Sequence, residues 1–241
     1  MKFFNINKII IFSFLTCLVP SNILAENLRL KSFGHSSFLI EGGGQSILIN
    51  PFKSIGCTSK LKEIKNLKFD YILASSRLAD EGFNPNNDLF FVDPGIYKVK
   101  DNIINGINIP HDRFEGRRFG MATVWIWNQS NFKIVHMGGA AGDIKINDEI
   151  LLTHPDLLFI SIGGGPKSYN GEEAVEIVNK LKPKIIIPVH FIRGEDNNID
   201  CNLSDENIFL KNVQGYQVKY VDNTILLSTK KIDKNTIYIF K

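Results

Sequence analysis

The chain has 241 residues, a mass of 27.2 kDa and a formal net charge of +3. Hydrophobic residues make up 44% and charged residues 22%, so extended disorder, collagen-like repeats and a disulfide-dense mini-fold are excluded. So small a charge, with no long basic run, argues against a nucleic-acid binder, and the length can bury a sizeable core without metal or disulfide staples.

Lys2 and Lys8 precede an apolar stretch, Ile9 to Val19, which Pro20 ends; Ile23-Leu24-Ala25 follows. A positive start, a short apolar middle and a small residue at the end predict a secretory signal, residues 1–25, cut after Ala25. The stretch is about half of what a transmembrane helix needs. An uncleaved anchor is the alternative. Thr16 is a poor residue before a lipidated cysteine, so Cys17 does not predict a lipoprotein. The mature domain is then 26–241, exported to a periplasmic or other extracytoplasmic compartment, and not membrane-bound after cleavage.

Short β-rich runs come next, at Leu28 to Phe33, Ser36 to Glu41 and Ser46 to Asn50, with Gly42-Gly43-Gly44 turning the second into the third. Ser59 to Ile64 predicts a short helix. Asp70 to Ala74 predicts a strand, followed by a loop, Ser75 to Gly82. Further strands are expected at Leu89 to Val92, Asn102 to Ile109, Met121 to Asn128 and Phe132 to His136. The second half alternates. Leu157 to Ile162 is a continuous apolar run, as in a strand buried on both faces. Gly171 to Leu181 has helical spacing, and Pro183 stops it. Lys184 to Val189 is a second buried strand, completing a parallel β-α-β unit. Ser204 is expected to cap a helix through about Leu210. Strands at Gln217 to Val221, Thr224 to Ser228 and Thr236 to Phe240 close the chain. No linker or repeat divides the mature chain.

In parallel α/β units ligands bind at the carboxyl ends of strands. The residues there carry a family pattern. Gly34-His35-Ser36-Ser37-Phe38-Leu39-Ile40-Glu41 and Ile47-Leu48-Ile49-Asn50-Pro51-Phe52 come first. Ile162-Gly163-Gly164-Gly165-Pro166, Tyr169, Glu172-Glu173-Ala174 and Lys182-Pro183-Lys184 to His190 follow. This ordered set resembles the metallo-β-lactamase fold hydrolases, most closely the branch of ascorbate-6-phosphate lactonase-like proteins. The resemblance covers nearly all of the mature chain and implies an α+β fold, a four-layer αββα sandwich.

It also implies one or two metal ions, usually zinc, that activate a water for hydrolysis. The family pattern supplies a His-x-His-x-Asp-His loop, a later His, an Asp in a Gly-Asp turn and a last His. Here the loop positions read Ser76, Leu78, Asp80 and Glu81, the later His is His111, Gly139 stands in the turn, and His190 is last. Leucine cannot ligate a metal and a serine hydroxyl is a poor zinc ligand. The expectation is therefore a degenerate metal site with no cofactor. The alternative is a single zinc, manganese or iron ion on Asp80, Glu81 and His190. Arg77, in the same loop, offers a guanidinium to hold those carboxylates without metal.

The expected pocket comprises His35, Asn50, Ser76, Arg77, Asp80, Glu81, His111, Gly139, Tyr169 and His190. His136 and His154 read as structural. Arg113, Arg117 and Arg118 flank His111 and form either a salt-bridged hairpin tip or an anion-binding rim. Cys57 and Cys201, the two mature cysteines, are expected to form a disulfide across the pocket rim, because in the implied fold both follow strands that end there; two separate thiols are the alternative. No serine-nucleophile elbow or P-loop is present. The functional expectation is an inactive or reduced hydrolase binding a small anionic ligand. The alternative is a mononuclear hydrolase of a lactone, ester or phosphoester. A partner-binding module has no dedicated sequence feature.

Overall fold

A computed structural model describes residues 27–85, 89–192 and 201–241; the expected signal segment lies outside the described residues. Two sheets face each other. The first has six strands: β1 (Asn27–Gly34), β2 (Ser37–Gly42), β3 (Gln45–Ile49), β4 (Tyr71–Leu73), β5 (Phe90–Phe91) and β13 (Thr224–Ser228), in the order β13-β1-β2-β3-β4-β5. The second has eight: β6 (Gly95–Val99), β7 (Asn102–Pro110), β8 (Met121–Gln129), β9 (Phe132–His136), β10 (Leu157–Ser161), β11 (Ile185–Val189), β12 (Gln217–Val221) and β14 (Thr236–Phe240), in the order β12-β14-β11-β10-β9-β8-β7-β6. From β9 to β12 this sheet is parallel; from β6 to β9 it is antiparallel.

Strand periodicity decides which side chains enter the sandwich. Leu28, Leu30, Ile47 and Ile49 of the first sheet meet Phe159, Ile185, Ile187 and Val189 of the second in one core. The alternate residues, Leu158, Ile160, Ile186, Ile237 and Ile239, face outward and are covered by α2 (Gly171–Leu181) through Ala174, Ile177, Val178 and Leu181. α3 (Asn207–Asn212) contributes Phe209 and α1 (Ile146–Leu152) contributes Leu152 to the same layer. The outer face of the smaller sheet, Leu48, Ile72 and Ala74, is covered by Ile64, Leu67 and Phe69 from an irregular segment. The α+β two-sheet sandwich thus agrees with expectation, with helices on one outer face among the described residues.

Two ties clamp the sheets at opposite ends. Trp125 Nε1 donates to the Ala74 carbonyl at 2.9 Å near the site. Gln129 Nε2 donates to the carbonyls of Ile40, Gly42 and Gln45 at the far end.

Some boundaries differ from expectation. Ser59 to Ile64 is not helical; a single 3₁₀ turn at Gly56–Thr58 precedes it. There the Thr58 hydroxyl donates to the Lys53 and Ile55 carbonyls, fixing a turn instead of a helix. Ser204 does not cap α3, which starts after Glu206 with no side-chain cap bond; just before it, Asp205 Oδ1 accepts from Asn207 N. β6 and α1 add to the expected elements. α2 runs as expected, with Asn170 and Glu173 in a reciprocal capping box and Lys182 left-handed before Pro183.

Candidate functional site

The carboxyl ends of β3, β4, β7, β9 and β11 converge, and each delivers a polar residue. Asn50, after β3, is buried with φ of 43°. Its Oδ1 accepts from Ser75 N at 2.8 Å, and its Nδ2 donates to Ser75 Oγ at 2.9 Å and Ser36 Oγ at 3.2 Å. Asn50 is thus a positioning residue: it holds the end of β4 so that Ser75 and Ser76 face inward.

Glu81 forms the centre. It is 1% exposed. Its Oε1 accepts from Ser76 Oγ at 2.6 Å and His111 Nε2 at 2.6 Å; its Oε2 accepts from Ser75 Oγ at 2.9 Å and lies 3.5 Å from His190 Nε2. His111 Nδ1 sits 2.7 Å from the Lys167 carbonyl. A carbonyl only accepts, so Nδ1 carries a proton. Burial opposes charge on both partners, yet the attraction between them prevails. His111 is raised above its ordinary value, and Glu81 is held far below the carboxylate range, with His190 and Ser76 contributing. The pair is held in close contact, His111 Nε2 to Glu81 Oε1, with both side chains buried. Among the described residues no three His, Cys, Asp or Glu side chains form a group arranged to hold a metal ion.

Gly139 explains why this pair fits. A Cβ built there would lie 2.2 Å from His111 Cε1 and 2.9 Å from Glu81 Oε2. The space an aspartate at this position needs is already filled by Glu81 and His111.

Beside the pair lies a cavity of about 200 Å³, lined by His35, Asp80, Glu81, His111, Lys167, Ser168, His190 and Asn202 among others. Lys167 Nζ donates to Asp80 Oδ2 at 3.1 Å. His35 Nε2 stands 4.0 Å from the same oxygen. His35 Nε2 and His190 Nδ1 are buried without a hydrogen-bond partner, and burial lowers both imidazoles. Their rings meet edge-on, 4.1 Å between centroids. Cys57 and Cys201 are disulfide-bonded with Cα atoms 4.6 Å apart, and Cys57 forms part of the cavity wall.

The structure redistributes several expected pocket residues. Arg77 does not hold Asp80 or Glu81: its Nη2 donates to both oxygens of Asp93 on the surface, and Lys167 serves Asp80. Tyr169 packs under α2 and its hydroxyl donates to the Gly142 carbonyl, outside the cavity. Arg113 is engaged within the fold. Its guanidinium grips both oxygens of Glu173 at 2.6 Å and donates to the Gly165 and Ser168 carbonyls. Arg117 pairs with Glu115, and Arg118 stacks over Phe119. The segment carries the ion pairs expected of a salt-bridged tip. His136 is structural: Nδ1 accepts from Gly138 N, Nε2 faces the Ser36 carbonyl, and burial lowers it to about 3. His154 belongs to the turn after α1, with φ of 51°. Lys167 and Asp112 were not foreseen. Asp112 is buried and accepts from the N–H groups of Phe114, Gly116, Arg118 and Phe119, which shapes the whole tip.

Comparison with known proteins agrees with this architecture. A Thermotoga maritima structure assigned as a Zn-dependent hydrolase of the metallo-β-lactamase superfamily superposes with a TM-score of 0.68 at 23% identity, covering 88% of this chain and 98% of the other. Igni18, a metallo hydrolase of Ignicoccus hospitalis, gives 0.59 at 18% identity, covering 84% and 99%. In sequence, a UPF0173 metal-dependent hydrolase of Staphylothermus marinus is 26% identical over 192 residues, 67% of this chain and 82% of that protein. One of Deinococcus radiodurans is 25% identical over 199 residues, 68% and 84%. The Beta-lactamase superfamily domain matches residues 29–190, more than half of the sequence, and the chain belongs to that superfamily.

Proposed function

We propose that this protein is an exported member of the superfamily that works without the family's metal pair and uses its pocket to bind a small anionic ligand. The observation that carries the reading is Glu81. Its buried carboxylate sits within hydrogen-bond distance of Ser75 Oγ, Ser76 Oγ and His111 Nε2, cross-linking β4 and β7 where the resemblance sets a metal ion. Ser76, Leu78 and Gly139 at ligand positions support it, and Gly139 leaves no room for a bridging carboxylate. The ordered motifs from Gly34 to His190 favour descent from the lactonase-like branch. The Cys57–Cys201 disulfide supports export, since such bonds persist in oxidising compartments.

Elemental analysis after purification with added zinc tests the reading. The expected result is well below one zinc per chain. Two tightly held ions overturn it. The unpartnered nitrogens of His35 and His190 favour a second reading, one metal on Asp80, Glu81 and His190. A single ion that is lost in Glu81→Ala, with hydrolysis of a lactone, ester or phosphoester, would establish that reading instead. Mass spectrometry of the protein from its native host tests export. A chain beginning at Glu26 is expected, and a soluble chain retaining Met1 to Ala25 refutes it.

A further inference from the structure

The Cys57–Cys201 bridge stands in the wall of the site. Gly56 and Cys57 line the cavity of about 200 Å³ from the loop after β3, and Asn202 and Leu203 line it from the segment before α3. The bridge therefore joins two wall segments that are distant in sequence. A second cavity, of about 480 Å³, shares His35 and Cys57 with the first as wall residues. Small-molecule sites usually enclose about 300–1,000 Å³. The site cavity falls below that range and the second cavity falls within it.

The two ends of the bridge are anchored differently. Ser204 N donates to the Gly163 carbonyl at 2.7 Å, which pins the Cys201 side to the turn after β10. The Cys57 side is the 3₁₀ turn Gly56–Thr58, braced from within: the Thr58 hydroxyl donates to the Lys53 and Ile55 carbonyls, and Ser54 Oγ donates to the Leu61 carbonyl. Lys53 N donates to the Ala79 carbonyl at 2.8 Å and marks its base. A Cβ built on Gly56 meets no atom within 4 Å, so the turn borders open space. A turn braced in this way moves as a unit when its covalent tether is cut. Cys57 and Cys201 are half-buried, within reach of an external thiol. In the shared wall the His35 side chain is 5% exposed, and its Nε2 has no hydrogen-bond partner.

We propose that the bridge is a redox strap. Oxidised, it holds the Gly56–Thr58 turn against the site and keeps the two cavities apart. Reduced, it lets the turn swing out, joins the cavities and admits ligands that the closed pocket excludes. The reductant is a dithiol. One of its thiolates attacks a sulfur of the bridge, forming a mixed disulfide and releasing the other cysteine as a thiolate, which takes up a proton. The second thiol of the reductant, after losing its proton, displaces the first cysteine and closes the reductant's own disulfide. Cys57 and Cys201 end as thiols, having gained the two electrons that the dithiol loses. The strap regulates the site of the proposed function and rests on that reading for its purpose; the opening itself needs neither ligand nor metal.

Diethyl pyrocarbonate, which acylates accessible neutral imidazoles, reads the opening directly. Oxidised protein is compared with protein reduced by dithiothreitol and freed of excess reagent without air, and each histidine is followed by peptide mass spectrometry. His35 should be labelled at least about tenfold faster in the reduced protein. Cys57→Ser combined with Cys201→Ser should be as fast with no reductant present, and reoxidation of wild type should restore the slow rate. His154, which is exposed, should keep one rate throughout. His136, 0% exposed, should stay unlabelled. Equal His35 rates in oxidised, reduced and variant protein overturn the proposal. So does labelling of His136 in step with His35, since the opening is then general unfolding. Zinc content of the same samples separates the two ideas: redox-dependent labelling in zinc-loaded protein defeats only the metal-free reading, and redox-independent labelling in zinc-free protein defeats only this one.

Discussion

At the scale of single residues, Glu81 decides the chemistry of the site. Removing one partner of a buried ion pair strands the other charge, at a cost of about 3–5 kcal/mol. Glu81→Ala should therefore lower the melting temperature by about 10 °C, measured calorimetrically. In Glu81→Gln, proton NMR should show His111 titrating below 6.5, because burial then acts on it without the opposing carboxylate. The pair also fixes the sign of the pH dependence. Glu81 is depressed when folded, so its contribution is present above about 4.5 and is lost as pH falls from there. His111 is raised, so its contribution is complete below 6.5 and fades as pH climbs through the raised value. Stability should peak between these limits in wild type, and the peak should flatten in Glu81→Gln. Glu81, His111 and His190 were legible in the sequence because the flanking motifs fix which strand ends they occupy. Lys167 and Arg77 were not. Whether a flexible cation reaches Asp80 or Asp93 depends on where its loop lands in space, which one-dimensional spacing does not encode.

Among elements, α2 was the most legible, since a capping box, an apolar stripe and a stop signal all agree. Asn170→Ala should cost about 1 kcal/mol. It also loosens Glu173, which the cap shares with Arg113, so Arg113→Ala and Asn170→Ala should be non-additive in a double-mutant cycle of melting temperatures. α1 escaped the sequence reading for an opposite reason. Ile146, Ile150 and Leu151 are 78%, 70% and 49% exposed, and Leu152 is its one buried residue, so no one-sided apolar stripe marks it. β6 was obscured similarly: as an edge strand it leaves Ile96 77% exposed. The segment from Ser59 to Ile64 misled because Ile64 covers the smaller sheet while Leu61 packs beside Gly34, instead of the two lining one side of a helix.

For the whole molecule, the parallel pairing of β10 with β11 followed from run length and polarity, since buried parallel strands read as unbroken apolar runs. The disulfide joins residues 144 apart in sequence. Loop-closure entropy for so long a loop is worth about 5 kcal/mol, less any native strain. Reduction, or Cys57→Ser with Cys201→Ser, should lower the denaturant midpoint accordingly and leave the circular dichroism spectrum of the folded state unchanged. The clamp between the sheets has an optical counterpart. The chain has two tryptophans, Trp125 and Trp127, both on β8 and at most 1% exposed. Indoles held away from water emit at short wavelength, so the intrinsic fluorescence of the folded protein arises from one strand inside the sandwich. A red shift therefore times the entry of water between the two sheets, and a ligand in either cavity should leave that colour unchanged.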